Sequence, residues 1–248
     1  MTFQGIIAAS LLLTGATMAD AVEITVLSTQ ATEQACRELL PEFEKATGNT
    51  VKIVYTGTLD AKKRIAEGEA FDVLIMAATD IDGFLARGVL APGSKVDIAR
   101  SGVGVGVKAG APKPDISTTE AFKKTLLAAK SIGYSTGPSG VYLIGLFDKL
   151  GIADQVKPKL KQTPTGVFVG SLVANGDAEI GIQQVSEMSH YAGVDYVGAL
   201  PADIQKMTVF SSGMAAKAKE PAAGNALVKF ITSPEAGAAF KKRGMEPG

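Results

Sequence analysis

The stretch EITVLSTQATEQACRELLPEFEKATGNTVKIVYTGT, Glu23 to Thr58, decides the fold. Its first six residues, Glu23 to Ser28, alternate and cluster apolar side chains as a buried strand does. A helix is predicted from Thr32 to Thr47, because Ala35, Leu39, Phe43 and Ala46 recur at helical spacing. Thr32 and Glu33 suit its start and Gly48 its stop. VKIVYT, Val51 to Thr56, is again a strand. The same alternation continues through a helix at Asp60 to Glu67, a strand at Phe71 to Ala77 and a helix at Ile81 to Arg87. Strands that alternate strictly with helices build a parallel sheet with helices on its faces, so the fold class is α/β.

Further along, SGVGVGVKAGAPKPDIS (Ser101 to Ser117) is Gly-rich and then Pro-rich, and reads as a crossover into a second unit, with Gly102 to Gly106 as hinge backbone. That unit holds predicted helices at Thr119–Ala129, Val141–Leu150 and Val167–Asn175, and strands at Ser131–Ser135, Ala178–Gln184 and Tyr196–Leu200. MTVFSSGMAA, Met207 to Ala216, reads as the return crossover before terminal helices at Ala222–Ile231 and Pro234–Lys242. The chain therefore divides into lobe 1 (residues 22–100 and 215–248) and lobe 2 (residues 101–214, including both crossovers).

The first 21 residues have the layout of a cleavable secretory signal: an apolar run from Ile6 to Met18, then Ala19-Asp20-Ala21. The run is shorter than the roughly 20 apolar residues of a membrane span, so no membrane insertion is expected after cleavage. Cys36 is the only cysteine, which excludes an internal disulfide. Basic and acidic residues balance at 25 each, and tryptophan is absent. Nothing here attracts nucleic acid or offers stacking platforms for bases or sugars. No Cys/His cluster, P-loop or Gly-x-Ser-x-Gly elbow is present, so neither a metal nor another cofactor is expected.

In open α/β sheets the ligand sits beyond the carboxyl ends of the strands, where helix N-termini point. Four such ends are rich in hydroxyls or amides: Ser28-Thr29-Gln30, Thr56-Gly57-Thr58, the run from Ser135 through Ser139 and Gly140 to Tyr142, and Gln183-Gln184-Val185-Ser186. Backbone N–H groups and small polar side chains at helix starts are what an oxyanion needs. The ligand candidates are Ser28, Thr29, Gln30, Thr56, Thr58, Ser135, Ser139, Gly140, Gln183 and Gln184. Arg64, in the helix after the second loop, is the cation best placed to join them, though a surface role suits it better.

FEKATGNTVKIVYTGT, EGEAFDVLIMA, YSTGPSGVYLIGLFDKLGI and ITSPEAGAAFKKRGMEP all resemble segments of the substrate-binding proteins of bacterial ABC importers, in the branch that holds the molybdate-binding proteins. The resemblance covers the chain from Val22 to Gly248. It implies a type II periplasmic binding protein: two lobes of mostly parallel sheet flanked by helices, joined by two crossover strands, with the ligand between them. It also implies a periplasmic monomer that captures a small anion for a membrane permease. In that branch the anion is held by a hydroxyl of the second loop, here Thr56 or Thr58, and by a backbone N–H of the Gly-rich loop, here Ser139. Two departures stand out. The first loop carries Ser28-Thr29-Gln30 where the branch has Ala-Ala-Ser, and Gln183-Gln184 replaces a Val-Tyr pair whose phenol donates to the anion. Each amide both donates and accepts, which suits a carboxylate as well as molybdate. GIQQVSEM together with YSTGPSGVY is more similar to an offshoot that includes organic-acid binders and an aconitate isomerase. An isomerase would need a base near the mobile hydrogen, for which Glu187 and Glu33 are candidates, with Tyr142 or His190 as donors. For each a plainer role is at hand: a solvated loop for Glu187, a first-turn helix charge for Glu33, a core helix face for Tyr142 and the surface for His190.

Overall fold

The computed structural model describes residues 21–248; the expected leader, apart from Ala21, lies outside the described residues. The first lobe contains β1 (Glu23–Thr29), α1 (Glu33–Thr47), β2 (Thr50–Thr56), α2 (Thr58–Ala66), β3 (Val73–Ala77), α3 (Ala78–Ala86) and β4 (Val96–Ser101). The second contains β5 (Val103–Lys108), α4 (Thr119–Ala128), β6 (Ile132–Tyr134), α5 (Pro138–Lys149), α6 (Ala153–Val156), β7 (Leu160–Gln162), α7 (Val169–Asn175), β8 (Ile180–Gln184), α8 (Val185–Met188) and β9 (Val194–Ala199). The chain then returns to the first lobe for β10 (Thr208–Met214), α9 (Pro221–Ile231), α10 (Pro234–Lys242) and β11 (Glu246–Pro247).

Two sheets result, with strand orders β11-β4-β10-β3-β1-β2 and β7-β6-β8-β5-β9. Each is mixed. β1 pairs in parallel with β2 and β3, and β6 with β7 and β8, as alternating β and α elements require. The crossing strands enter antiparallel: β10 beside β3 and β4, and β5 beside β8 and β9. This moves the expected boundary. The expected return crossover, Met207 to Ala216, is mostly β10, which lies inside the first sheet with Phe210, Ser211 and Ser212 fully buried. The chain crosses at Ser101–Val103 and again between β9 and β10.

The GVGVG run is likewise no hinge along its length. β5 is a central strand, and Gly104 and Gly106 are needed because a Cβ would meet the Tyr196 ring at 2.7 Å and Met188 Sδ at 2.6 Å. Only Gly102 stands at the crossing. The two crossings are stitched together by Gln205, whose amide accepts from Val103 N at 2.7 Å and donates to Val103 O at 2.9 Å.

In the first lobe, α1, α9 and α10 cover one sheet face around Phe43, Phe210 and Phe240, while Leu74, Met76, Ile81 and Phe84 fill the other. In the second, Phe122, Leu143 and Phe147 pack under the sheet, and Val169, Val173 and Met188 form a smaller cluster on its far side. Asp72 joins the start of the first lobe to its end. It is 1% exposed, accepts from Thr25 N (2.8 Å) and Thr25 Oγ1 (2.7 Å), and accepts from Lys219 N (2.7 Å) and Glu220 N (3.0 Å). Burial alone would raise its pKa, but the bonds from Glu220, Thr25 and Lys219 outweigh it and hold the carboxyl below the usual range. Asp72→Ala would orphan three partly buried N–H groups at roughly 1 kcal/mol each. We expect a loss of about 3 kcal/mol or more, read as a lower urea midpoint at unchanged slope.

Candidate functional site

The cleft is built where helix starts from both lobes meet. Thr29, Gln30 and Ala31 enter from the end of β1, and Thr56, Gly57 and Thr58 from the turn between β2 and α2. The other lobe supplies Ser135 to Pro138 before α5, Gly166 and Val167 before α7, and Gln183, Gln184 and Glu187 from β8 and α8; Phe210 of β10 completes the wall. None of α1, α2 and α5 has a side-chain cap, whereas α4 is capped by Thr118 and α10 by Ser233. The first N–H groups of α2 are therefore donors left for an anion, whereas at α1 the Glu33 N–H donates to Gln30 O and α5 begins on Pro138, which has no N–H.

The lobes are closed. Gln30 Nε2 donates to Gly166 O across the cleft at 2.7 Å, and a Cβ on Gly57 would meet Thr165 Cγ2 at 2.7 Å. The enclosed cavity is ≈ 20 Å³, room for about one water. Ligand entry requires the lobes to part. Gln30→Ala is expected to weaken ligand binding about tenfold by removing this clasp from the closed state only, with unfolding free energy changed by less than about 0.5 kcal/mol. Calorimetry and a urea titration check the two halves of that expectation.

Not every sequence candidate faces the cleft. Thr29, Gln30, Thr56, Thr58, Ser135, Gln183 and Gln184 line it; Ser28, Ser139 and Gly140 do not. Ser28 Oγ lies 3.0 Å from Thr32 Oγ1 behind the first loop, and Ser139 Oγ lies 3.3 Å from Ser135 Oγ. Gly140 is a packing position: a Cβ there would fall 1.8 Å from Ser135 O. The Thr56 hydroxyl is taken by Asp60 at 2.7 Å, whose other partner is Arg64 at 2.7 Å. These two bonds, Thr56 first, hold Asp60 below the usual carboxylate range. Arg64 thus serves Asp60 and Glu69, and no cation lines the cleft among the described residues.

Both glutamines have structural tasks. Gln183 Oε1 accepts from Val169 N at 2.7 Å. The Gln184 amide lies between the crossings: with its nitrogen toward Ser101 O and Gly102 O it donates to both at 3.0 Å, and its oxygen accepts from Thr208 Oγ1 at 3.1 Å. It ties β8 to the hinge, so little of it is left for a ligand.

Glu187 is the residue whose place the sequence concealed. It is the third residue of α8, and its carboxyl lies near the Gln184 N–H and the Gln183 side chain, the place a capping-box glutamate takes. That turns it from a solvated loop into the cleft wall. Burial raises its pKa to about 8; the bonds from Gln184 and Gln183 offset part of the rise, and the charge of Glu33 adds to it. Glu33 itself is paired with Arg37 at 2.8 Å and does not line the cleft. Tyr142 donates its hydroxyl to Ile204 O at 2.6 Å, outside the cleft, and the exposed His190 bonds Ser189 through Nδ1 at 2.8 Å. Sequence reasoning missed Gly166 altogether, although the turn signal Thr163-Pro164-Thr165-Gly166, with φ +82° at Gly166, marks the loop.

A two-lobed α/β protein closed over a cleft between its two sheets has the build of a solute-binding protein. The family assignment agrees: residues 24–246 match the model of the bacterial extracellular solute-binding proteins, and the chain belongs to that family. It is 37% identical over 230 residues to an aconitate isomerase of a Pseudomonas species, covering 90% of this chain and 87% of that one. It is 26% identical to the molybdate-binding protein ModA of Azotobacter vinelandii, over 91% of this chain and 90% of the relative. The solved structure of the Azotobacter vinelandii periplasmic molybdate-binding protein superposes with a TM-score of 0.77 at 19% identity, covering 91% of this chain and 99% of that one.

Proposed function

We propose that this solute-binding protein captures an unsaturated tricarboxylate, aconitate, and moves a proton along it, with Glu187 as general base and acid. The observation that carries the reading is the Glu187 carboxyl, poised near neutral pH in the wall of an anion cleft. The ionised carboxylate takes a proton from the methylene carbon, and the C–H electron pair enters the allyl system. The carboxylic acid so formed returns a proton to the former alkene carbon, and the double bond moves by one position. Nothing is oxidised or reduced. Uncapped N–H groups at the start of α2, with the Thr58 hydroxyl, hold the substrate carboxylates and stabilise the charge that builds on them. The resemblance to the aconitate isomerase supports the same assignment. A cleavable leader at residues 1–21 and a periplasmic location go with it.

A second reading is favoured by the absence of cations in the cleft: hydroxyl and amide donors alone suit an oxyanion such as molybdate, delivered to the permease of an ABC importer. A thermal-shift and calorimetry panel of cis- and trans-aconitate, citrate, molybdate, tungstate and sulfate separates the two. Aconitate should raise the melting temperature by mass action. Tight binding of molybdate with no response to aconitate would overturn the isomerase reading.

A further inference from the structure

Glu187 lines two cavities. Besides the cleft, it borders a groove of ≈ 600 Å³ on the outer side of α8, against ≈ 20 Å³ for the cleft. The groove is lined also by Gln34, Ser171, Ser186 and His190, with the Phe168 and Tyr191 rings tilted against each other, centroids 5.8 Å apart, along one side. Ser186, 3% exposed, borders it, and its buried Oγ has no hydrogen-bond partner among the described residues. A buried hydroxyl without a protein partner beside a carboxyl marks a place where water completes the network. The closed cleft has room for about one water, so the open side of the partly buried Glu187 is the groove. The titratable groups near it are His190 in the groove and Glu33, which Arg37 neutralises.

We propose that the groove behind α8, between Ser186, Glu187 and His190, is a proton port through which Glu187 exchanges its proton with solvent while the lobes are closed on substrate. Protonated Glu187 gives its proton to groove water and takes another from it, so no charge accumulates and no other reactant is needed. The port rests on the isomerase reading and adds to it. A sealed carboxyl would hand back the proton it took. One with a rear opening loses that proton to solvent before the return.

The test runs cis-aconitate with the full-length protein in D₂O, stopped at low conversion, with deuterium in the trans product measured by mass spectrometry. Wild type should place deuterium in most product molecules. Ala174→Phe, which fills the groove from α7, should keep turnover within a few-fold while product deuterium falls severalfold. Ala192→Phe at the rim should act in the same direction and serves if the first variant fails to fold. Turnover with protiated product in wild type, or unchanged deuterium in a folded, active groove-filled variant, overturns the port and leaves the isomerase standing. Absence of turnover in wild type overturns both.

Discussion

Glu187→Gln is expected to lose about 10³-fold in aconitate turnover while still binding the substrate, since a positioned acid–base group contributes on that scale. Glutamine keeps the shape and can still accept from Gln184 N–H, but it cannot take a proton from carbon. In wild type the base must be ionised. With a pKa raised to about 8, kcat/KM should climb about tenfold per pH unit well below 8 and level off above it. A readout independent of activity follows from linkage. The carboxyl rises from 4.5 to about 8 on folding, so the folded state holds its proton more tightly. The stability this contributes is present below pH 4.5 and is lost as pH climbs through 8. Glu187→Gln has nothing to lose there, so its melting temperature relative to wild type should rise between pH 4.5 and 8. A flat difference across that window would place the carboxyl in water and remove it from the cleft wall.

Gly140→Ala is the second large effect. Helix α5 lies so close to the end of β6 that an added Cβ would sit 1.8 Å from the Ser135 carbonyl oxygen. The obstacle is backbone, which cannot rotate aside as a side chain could, so the start of α5 must shift bodily. The same start carries Ser135, Thr136, Gly137 and Pro138 into the cleft. We expect about 3 kcal/mol of destabilisation and ligand binding weakened by about two orders of magnitude. Gly145→Ala on the same helix, where a Cβ meets nothing within 4 Å, is the control and should leave both unchanged. Equal behaviour of the two variants would refute the close approach of α5.

What could be read from sequence follows from how each signal arises. The β1–α1–β2 run was legible because Leu39 and Phe43 repeat at the helical period and their strands are apolar. Thr29, Thr58 and Ser135 were legible because a ligand in an α/β sheet has few places to sit. Glu187 could be named as a candidate base but not placed, since a four-residue helix such as α8 has no period to detect. Gln184 misled in the opposite direction. Its chemistry suits an anion, but pairing of β8 with β5 sets it between Ser101, Gly102 and Thr208, where the hinge uses it. The return crossing was misplaced because FSSGM has the small, polar look of a linker. Ser211 can be buried there only because its hydroxyl donates to Asp97 at 2.5 Å.

The most direct test of a proton-transferring cleft is a proton NMR time course of cis-aconitate with the purified protein at near-neutral pH. The olefinic signal of the trans isomer should grow in proportion to protein concentration until equilibrium, and Glu187→Gln should abolish that growth. A spectrum unchanged over hours at high protein concentration, from protein that calorimetry shows to bind aconitate, would make the cleft a carrier's site and Glu187 a bystander.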